Sequence, residues 1–287
     1  MRSVFLVCVA PLLVAAVSAA ELPQIENAAI ESRILQGDLV PMVQEWSQLA
    51  TQATWLGWQA PMAAGGGMLC CWSRGDRRGQ SQACSIESSR RSFVFSSERP
   101  QFVAMSDNLV VLLRARDGEL EELRAYSDGC RLDAGGRDLI WLEGVDPEAS
   151  VELLARLTES QPAVEDEALM AMALHATPAA AEELTTIARQ SGDEDLRGEA
   201  LFWLAHTGIE GASDIILQAV TEDPDADVRE EAIFDLSQLP DHEGIPLLLG
   251  IIQDRSRPSD MREEAFFWYV QEGDDQALDL IAEILTN

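Results

Sequence analysis

Apolar and polar positions follow two different patterns along the chain, and the change falls near residue 150. Before it the pattern is mixed. Residues 39–56 carry apolar side chains at helical spacing, with Pro41 near the start, and predict a helix. After an alanine- and glycine-rich connection at residues 63–67, residues 68–72 and 92–96 predict strands, the second alternating Phe93 and Phe95 with smaller neighbours. The clearest local signal is a hairpin, residues 109–116 and 119–126 around Asp117-Gly118. Asp-Gly suits the two positive-φ positions of a type I′ turn. That turn sets Arg116 opposite Glu119, Arg114 opposite Glu121 and Leu112 opposite Leu123, which joins two complementary charge pairs and one apolar pair.

Beyond residue 150 the pattern is helical and repeats. Residues 164–172, 196–204, 228–236 and 261–269 align position by position, their starts 32, 32 and 33 residues apart. Each leads through a turn to a second apolar helix, around Leu184, Ile216, Leu248 and Ile281. Asp195, Asp227 and Asp260 each precede a segment by one residue and fit the N-cap. Position two holds Arg197, Arg229 and Arg262, with Glu165 in the first copy. These arginines should form a row beside Asp195, Asp227 or Asp260, or beside the position-four glutamates Glu167, Glu199, Glu231 and Glu264.

Positions one, five, eight and nine share a face at 100° per residue and should pack on the second helices. Position seven lies off that face yet is apolar throughout: Met170, Phe202, Phe234 and Phe267. Trp203 and Trp268 sit beside this row, and Asp235 interrupts it. Packing between neighbouring first helices would account for the row. A partly exposed aromatic stripe would instead mark a partner-binding surface at Phe202, Trp203, Phe234, Phe267 and Trp268. Upstream, Asp146 followed by Pro147 starts a further helix with Val151, Leu154 and Leu157 on one face. It is expected to cap the array and join it to the N-terminal part.

The repeated segment resembles HEAT-like repeats, in particular the short type named after phycobilisome lyases. Their D-x-x-V-R-x-x-A core is matched by Asp225, Val228, Arg229 and Ala232. Together with Cys70-Cys71 and the segment from Cys130 to Gly136, the chain is similar to exported bacterial HEAT-repeat proteins. The resemblance implies an α-solenoid and no particular activity. The expected architecture is an α+β N-terminal module followed by an all-α HEAT-like solenoid of four helix pairs. Its divisions are a signal peptide at 1–20, a cysteine-containing module at 21–145, a linking helix at 146–163 and the solenoid at 164–287.

Charge sharpens the division. The chain carries 50 acidic residues against 20 basic ones, a net of −30, and every basic residue is arginine. Residues 21–163 hold 21 acids and 13 arginines, a net of −8, whereas residues 164–287 hold 29 and 6, a net of −23. Such acidity opposes binding to nucleic acid or anionic lipid. Without lysine there is no Walker A phosphate loop and no Schiff-base or Ser-Lys chemistry. A local basic stretch, with Arg74, Arg77, Arg78, Arg90, Arg91 and Arg99, is expected to offset the acidic remainder within the molecule.

The apolar run at residues 4–17, after Arg2 and before Ser18-Ala19-Ala20, reads as a cleaved export signal. The expected location is periplasmic or secreted, with no stable membrane insertion after its removal. Export makes Cys70, Cys71, Cys84 and Cys130 disulfide candidates. Adjacent side chains on a strand point oppositely, so Cys70 and Cys71 should bond to Cys84 and Cys130 and not to each other. A four-thiolate zinc site is disfavoured because no C-x-x-C pair arranges the ligands.

No cofactor or metal motif stands out. His175, His206 and His242 fall at three different repeat offsets. Asp223, Asp225 and Asp227 mimic the start of a calcium loop, but Val228 replaces its glycine and Phe234 its bidentate glutamate. The expected function is a non-catalytic scaffold or regulator in the periplasm or envelope that binds an exported or envelope protein through the solenoid surface. The alternative is a thiol-based or other enzyme with its site in the N-terminal module.

Overall fold

A computed structural model describes residues 23–63, Cys70, residues 83–87 and residues 107–271. Outside the described residues lie the expected signal at 1–20, the expected strands at 92–96 and, Cys70 apart, at 68–72, together with Cys71, Arg74, Arg77, Arg78, Arg90, Arg91, Arg99 and the helix around Ile281.

The N-terminal part is strand-rich. A five-stranded mixed sheet runs in the order β2 (Ala29–Ile34), β8 (Asp138–Glu143), β3 (Thr54–Pro61), β5 (Asn108–Arg116) and β6 (Glu119–Ser127). A small parallel sheet of β1 (Ile25–Glu26), β7 (Leu132–Asp133) and β4 (Cys84–Ser85) accompanies it. The run from Leu109 to Leu113 on β5 shows no alternation because both faces of the sheet are buried. Leu109, Val111 and Leu113 enter a core shared with helix α1 (Leu39–Leu49), whereas Val110 and Leu112 join Trp55, Tyr126, Leu132 and Trp141. Gly57 lets Leu112 and Trp141 close over the strand, since a Cβ there would lie 2.5 Å from Leu112 Cδ2 and force the packed side chains to shift.

Two local expectations need correction. The helix expected over residues 39–56 ends at Leu49, and Thr54–Pro61 is strand β3. Leu39, Val43 and Ser47 are the buried face of α1. Trp55 and Leu56 merely continued its apolar spacing, because a strand buried on both faces loses its two-residue period. The hairpin turn is as expected, with Asp117 at φ 52° and Gly118 at φ 86°, but a β-bulge shifts the register beyond Ala115–Leu120. Arg114 therefore lies opposite Glu122, Leu113 opposite Leu123, and Leu112 opposite Arg124. The bulge leaves Arg114 within 3.0 Å of Glu121 and 2.7 Å of Glu122, so one guanidinium serves two consecutive glutamates.

The remaining described chain is helical: α2 (Pro147–Ser160), α3 (Glu165–Ala173), α4 (Pro178–Gln190), α5 (Glu194–Thr207), α6 (Ala212–Glu222), α7 (Ala226–Ser237), α8 (Gly244–Gln253) and α9 (Ser259–Gln271). Each first helix, α3, α5, α7 and α9, packs most extensively on the helix before it, across the acidic linkers, and α3, α5 and α7 pack less on the one after. α2 is thus the hairpin partner of α3. First helices also stack side by side, α3 on α5, α5 on α7 and α7 on α9.

The capping aspartates lie earlier than expected. Asp193 accepts from the backbone N–H of Asp195 and Leu196, and Asp225 from those of Asp227 and Val228. Asp195 and Asp227 are inside the first turn, where negative charge still suits the helix dipole.

One continuous hydrophobic core runs from Leu39 through the array to Tyr269. At the junction, Ala63 N–H donates to the Leu174 carbonyl and Ala176 N–H to that of Pro61. Beside them Trp58 Nε1 donates to Ser150 Oγ at 2.8 Å, and Ser150 Oγ lies 2.8 Å from His175 Nε2. His175 Nδ1 reaches the Ala171 carbonyl, which can only accept, so Nε2 takes the Ser150 proton. Every polar atom of this chain is satisfied with a neutral imidazole. His175 is 3% exposed, and burial depresses its pKa to about 4.

Candidate protein-interaction surface

The first helices bury more of their circumference than the repeat pattern predicts. Positions one, five and nine face inward as expected, for example Val228, Ala232 and Leu236. Position six is also buried at Leu169, Leu201 and Ile233. Stacking between first helices accounts for this second inward face. What remains outward is a narrow strip: Asp195, Glu199, Phe202 and His206 on α5; Asp227, Glu230, Glu231 and Phe234 on α7; Asp260, Glu263, Glu264 and Phe267 on α9.

The aromatic row is therefore graded. Met170 is buried, at 6% exposure, where α3 packs against β6 and closes that end of the row. Trp203 is core, at 4% exposure, a correction to its place in the expected surface. Phe202, Phe234 and Trp268 are half-buried, and Phe267 is 48% exposed. Trp268 packs on Phe234 across the α7–α9 contact, with ring centroids 4.6 Å apart, so lateral packing accounts for part of the row. Phe202 instead stacks on His206 of its own helix at 3.9 Å.

Carboxylates flank the rings. Trp203 Nε1 donates to Glu199, and Trp268 Nε1 donates to Glu264, each one turn away on the same helix. In α7 the equivalent of these tryptophans is Asp235, 1% exposed, with Oδ2 lacking a hydrogen-bond partner. Burial and the neighbouring Glu231 hold its pKa well above the usual carboxylate range. Glu199 is pushed up to about 7 by burial, partly opposed by the Trp203 hydrogen bond and reinforced by Asp166, Glu167 and Glu165. Glu231 is raised by burial and by Asp195, Asp227, Glu230 and Asp225. It also lies over the α5 backbone, since a Cβ on Gly198 would sit 2.4 Å from Glu231 Oε2. Among the described residues, Glu199, Glu230, Glu231, Glu263 and Glu264 form no ion pair.

The arginines of the same helices turn to other partners. The expected row beside Asp195, Asp227 or Asp260, or beside the position-four glutamates, does not form; among the described residues a carboxylate of the adjacent repeat is met at Arg197 alone of the three. Arg197 makes a bidentate pair with Asp223, both contacts at 2.9 Å, and donates to the Ser191 carbonyl. Arg229 donates to the carbonyls of Asp223 and Asp225, and Arg262 to that of Ile252. Each thus ties its helix to the C-terminal end of the preceding one, where exposed carbonyls favour a cation. Asp223 and Asp225 are committed to these structural tasks. In the sequence Asp223 stands out only in an acidic linker and a failed calcium-loop pattern, because nothing local indicates an arginine 26 residues away.

Residues 181–267 match the family of HEAT repeats. No curated protein matches the chain. HEAT repeats commonly mediate protein–protein interaction and are generally of a non-enzymatic scaffold type. No group of three or more His, Cys, Asp or Glu side chains suited to a metal ion occurs among the described residues, and no described helix is long and apolar enough to cross a membrane.

In the N-terminal part Cys70 bonds to Cys130. Cys84 is buried beside it, on the strand next to β7. The three histidines lie apart, His175 at the junction, His206 on α5 and His242 in the exposed turn before α8.

Proposed function

We propose that this protein is a non-catalytic scaffold or regulator that binds another exported or envelope protein through the outward strip of α5, α7 and α9. The observation carrying this reading is the combination of half-buried and exposed rings, Phe202, Phe234 and Phe267, on helices of a HEAT-like array. A periplasmic or secreted location follows from the expected signal at residues 1–20 and belongs to the same proposal. The test is site-specific photocrosslinking in the native envelope. A photoreactive residue at Phe267 should capture a discrete partner that the same group at Glu222, outside the strip, does not. Equal capture at both positions, or none at Phe267, would refute the reading.

The second disulfide is proposed to join Cys71 to Cys84, because Cys130 is taken by Cys70. Non-reducing peptide mapping should recover these two cysteines in one linked fragment. Recovery of alkylated Cys71 from unreduced protein would overturn the assignment and return attention to thiol chemistry.

A further inference from the structure

The surface that would receive a partner also indicates its chemistry. Three features coincide in the layer formed by α5, α7 and α9. The carboxylates of Glu199, Glu230, Glu231, Glu263 and Glu264 have no cationic partner among the described residues, because Arg197, Arg229 and Arg262 are turned to Asp223 and to backbone carbonyls. Between α7 and α9 a groove of about 440 Å³ has Ile233 and Phe267 among its apolar walls and Glu230, Glu263 and Glu264 among its acidic ones, with Arg229 at one side. Inside the layer, Asp235 Oδ2 is buried without a hydrogen-bond partner at the position where Trp203 and Trp268 donate to their glutamates.

Spacing adds a geometric condition. Packed helices lie about 8–10 Å apart, so Phe202, Phe234 and Phe267 recur at roughly that interval across the layer. A helix advances about 10.5 Å in seven residues and returns nearly to the same face. A helix laid across α5, α7 and α9 therefore matches the rings with apolar residues at i, i+7 and i+14. Cationic side chains beside those positions would meet the glutamates that flank each ring. An apolar surface rimmed by carboxylates rejects an acidic segment by repulsion and leaves a purely apolar one facing desolvated charge.

We infer that the outward strip receives a cationic amphipathic helix of a partner protein, with apolar residues over Phe202, Phe234 and Phe267 and lysine or arginine side chains on Glu199, Glu230, Glu231, Glu263 and Glu264. This rests on the scaffold reading above and specifies the partner that reading leaves open. The occupant is a separate chain; the protein's own arginine-rich stretch and a second copy of the chain are the competing occupants.

The probe is a synthetic 18-residue helical peptide with leucine at positions 1, 8 and 15 and lysine flanking them, compared with a peptide carrying glutamate for lysine and with one of equal composition and leucine at 1, 6 and 11. Binding to the full chain is followed by fluorescence anisotropy at low and moderate salt. The first peptide should bind at least tenfold more tightly than either control, and tenfold less tightly at the higher salt. The exposed double substitution Glu230→Gln, Glu263→Gln should weaken it at least tenfold with a melting temperature no lower than that of the parent, since removing two repelling charges does not destabilise the array. Phe267→Ser, at the most exposed ring, should weaken it several-fold.

Equal binding of the three peptides, or no effect of the glutamine variant, would overturn the inference. So would tighter binding after replacing Arg74, Arg77, Arg78, Arg90, Arg91 and Arg99 by serine, which would identify the chain's own basic stretch as the occupant. Concentration-dependent dimerisation abolished by Phe267→Ser would likewise assign the strip to a second copy. Failure of the scaffold reading is separable: if photocrosslinking from Phe267 captures a partner and Glu230→Gln, Glu263→Gln leaves capture intact, that reading stands and only the cationic assignment falls.

Discussion

The sheet module and the repeat array handle charge in opposite ways. In the module, arginine is placed among carboxylates: Arg114 contacts Glu87, Glu121 and Glu122, Arg124 pairs with Glu122, and Arg137 reaches Glu87. In the array, arginines hold backbone carbonyls and the linker aspartates Asp223 and Asp254, while glutamates from successive helices stand side by side. The module thus neutralises its charge by pairing. The array relies on raised pKa values and accepts repulsion along its outer strip. Sheet strands bring distant residues opposite one another and make pairing easy, whereas a repeated helix stacks like on like. The neutral Trp58–Ser150–His175 chain lies between the two regimes.

The largest effect that can break this contrast is at the junction. The folded pKa of His175 is depressed to about 4 from an ordinary 6.5, so protonation favours the unfolded chain. Its contribution is fully present above pH 6.5 and is lost as pH falls through about 4, amounting to about 3 kcal/mol. Denaturant melts over that range should show the loss, and His175→Gln should reduce the slope. An unchanged slope would mean the imidazole is not buried as described.

Next is the Arg197–Asp223 pair. Arg197→Met removes a bidentate partner from a carboxylate and should destabilise by about 2 kcal/mol, with a smaller effect for Arg262→Met, which loses one carbonyl contact. Equal effects would show that the aspartate adds nothing to the backbone tie.

Asp235 sharpens the contrast in the other direction. Its raised pKa means that its contribution is present below about pH 4 and is lost as pH rises through the folded value. Asp235→Asn should therefore stabilise by about 1 kcal/mol at pH 8, with the gain vanishing at low pH. Glu199 acts in the same sense, favouring the folded state as pH falls through about 7. The array should thus gain stability on mild acidification before the His175 loss dominates.

The smallest effect is that of salt. Raising NaCl from low to molar concentration should increase the melting temperature by a few degrees, and hydrogen exchange should slow more in α5–α9 than in β3–β6. A flat or falling melting temperature would refute unpaired repulsion as a feature of the array.

How much was legible differs by the range of the interactions involved. The repeat, the Asp117-Gly118 turn and the start of α2 at Asp146-Pro147 were readable from sequence, because each depends on residues within a few positions of one another. Trp203 and the aromatic row were named, yet their burial was not, since it depends on which neighbour covers each helix. Asp235 registered only as an interruption. Strands β2 and β8 pair in parallel across more than a hundred residues, and no local period announces that.

By itself the sequence determined that one half of this protein is a stack of similar helices, that a tight hairpin interrupts the other, and that the acidic excess lies on the stack. Tertiary structure alone decided that one core joins both halves, that a bulge gives Arg114 two glutamates, and that Arg197, Arg229 and Arg262 turn from the glutamates of the outward strip. Local propensity and period specify where a helix or turn forms; the exposed face of a helix, and the partner of its charge, are set by contacts between residues the chain order keeps far apart.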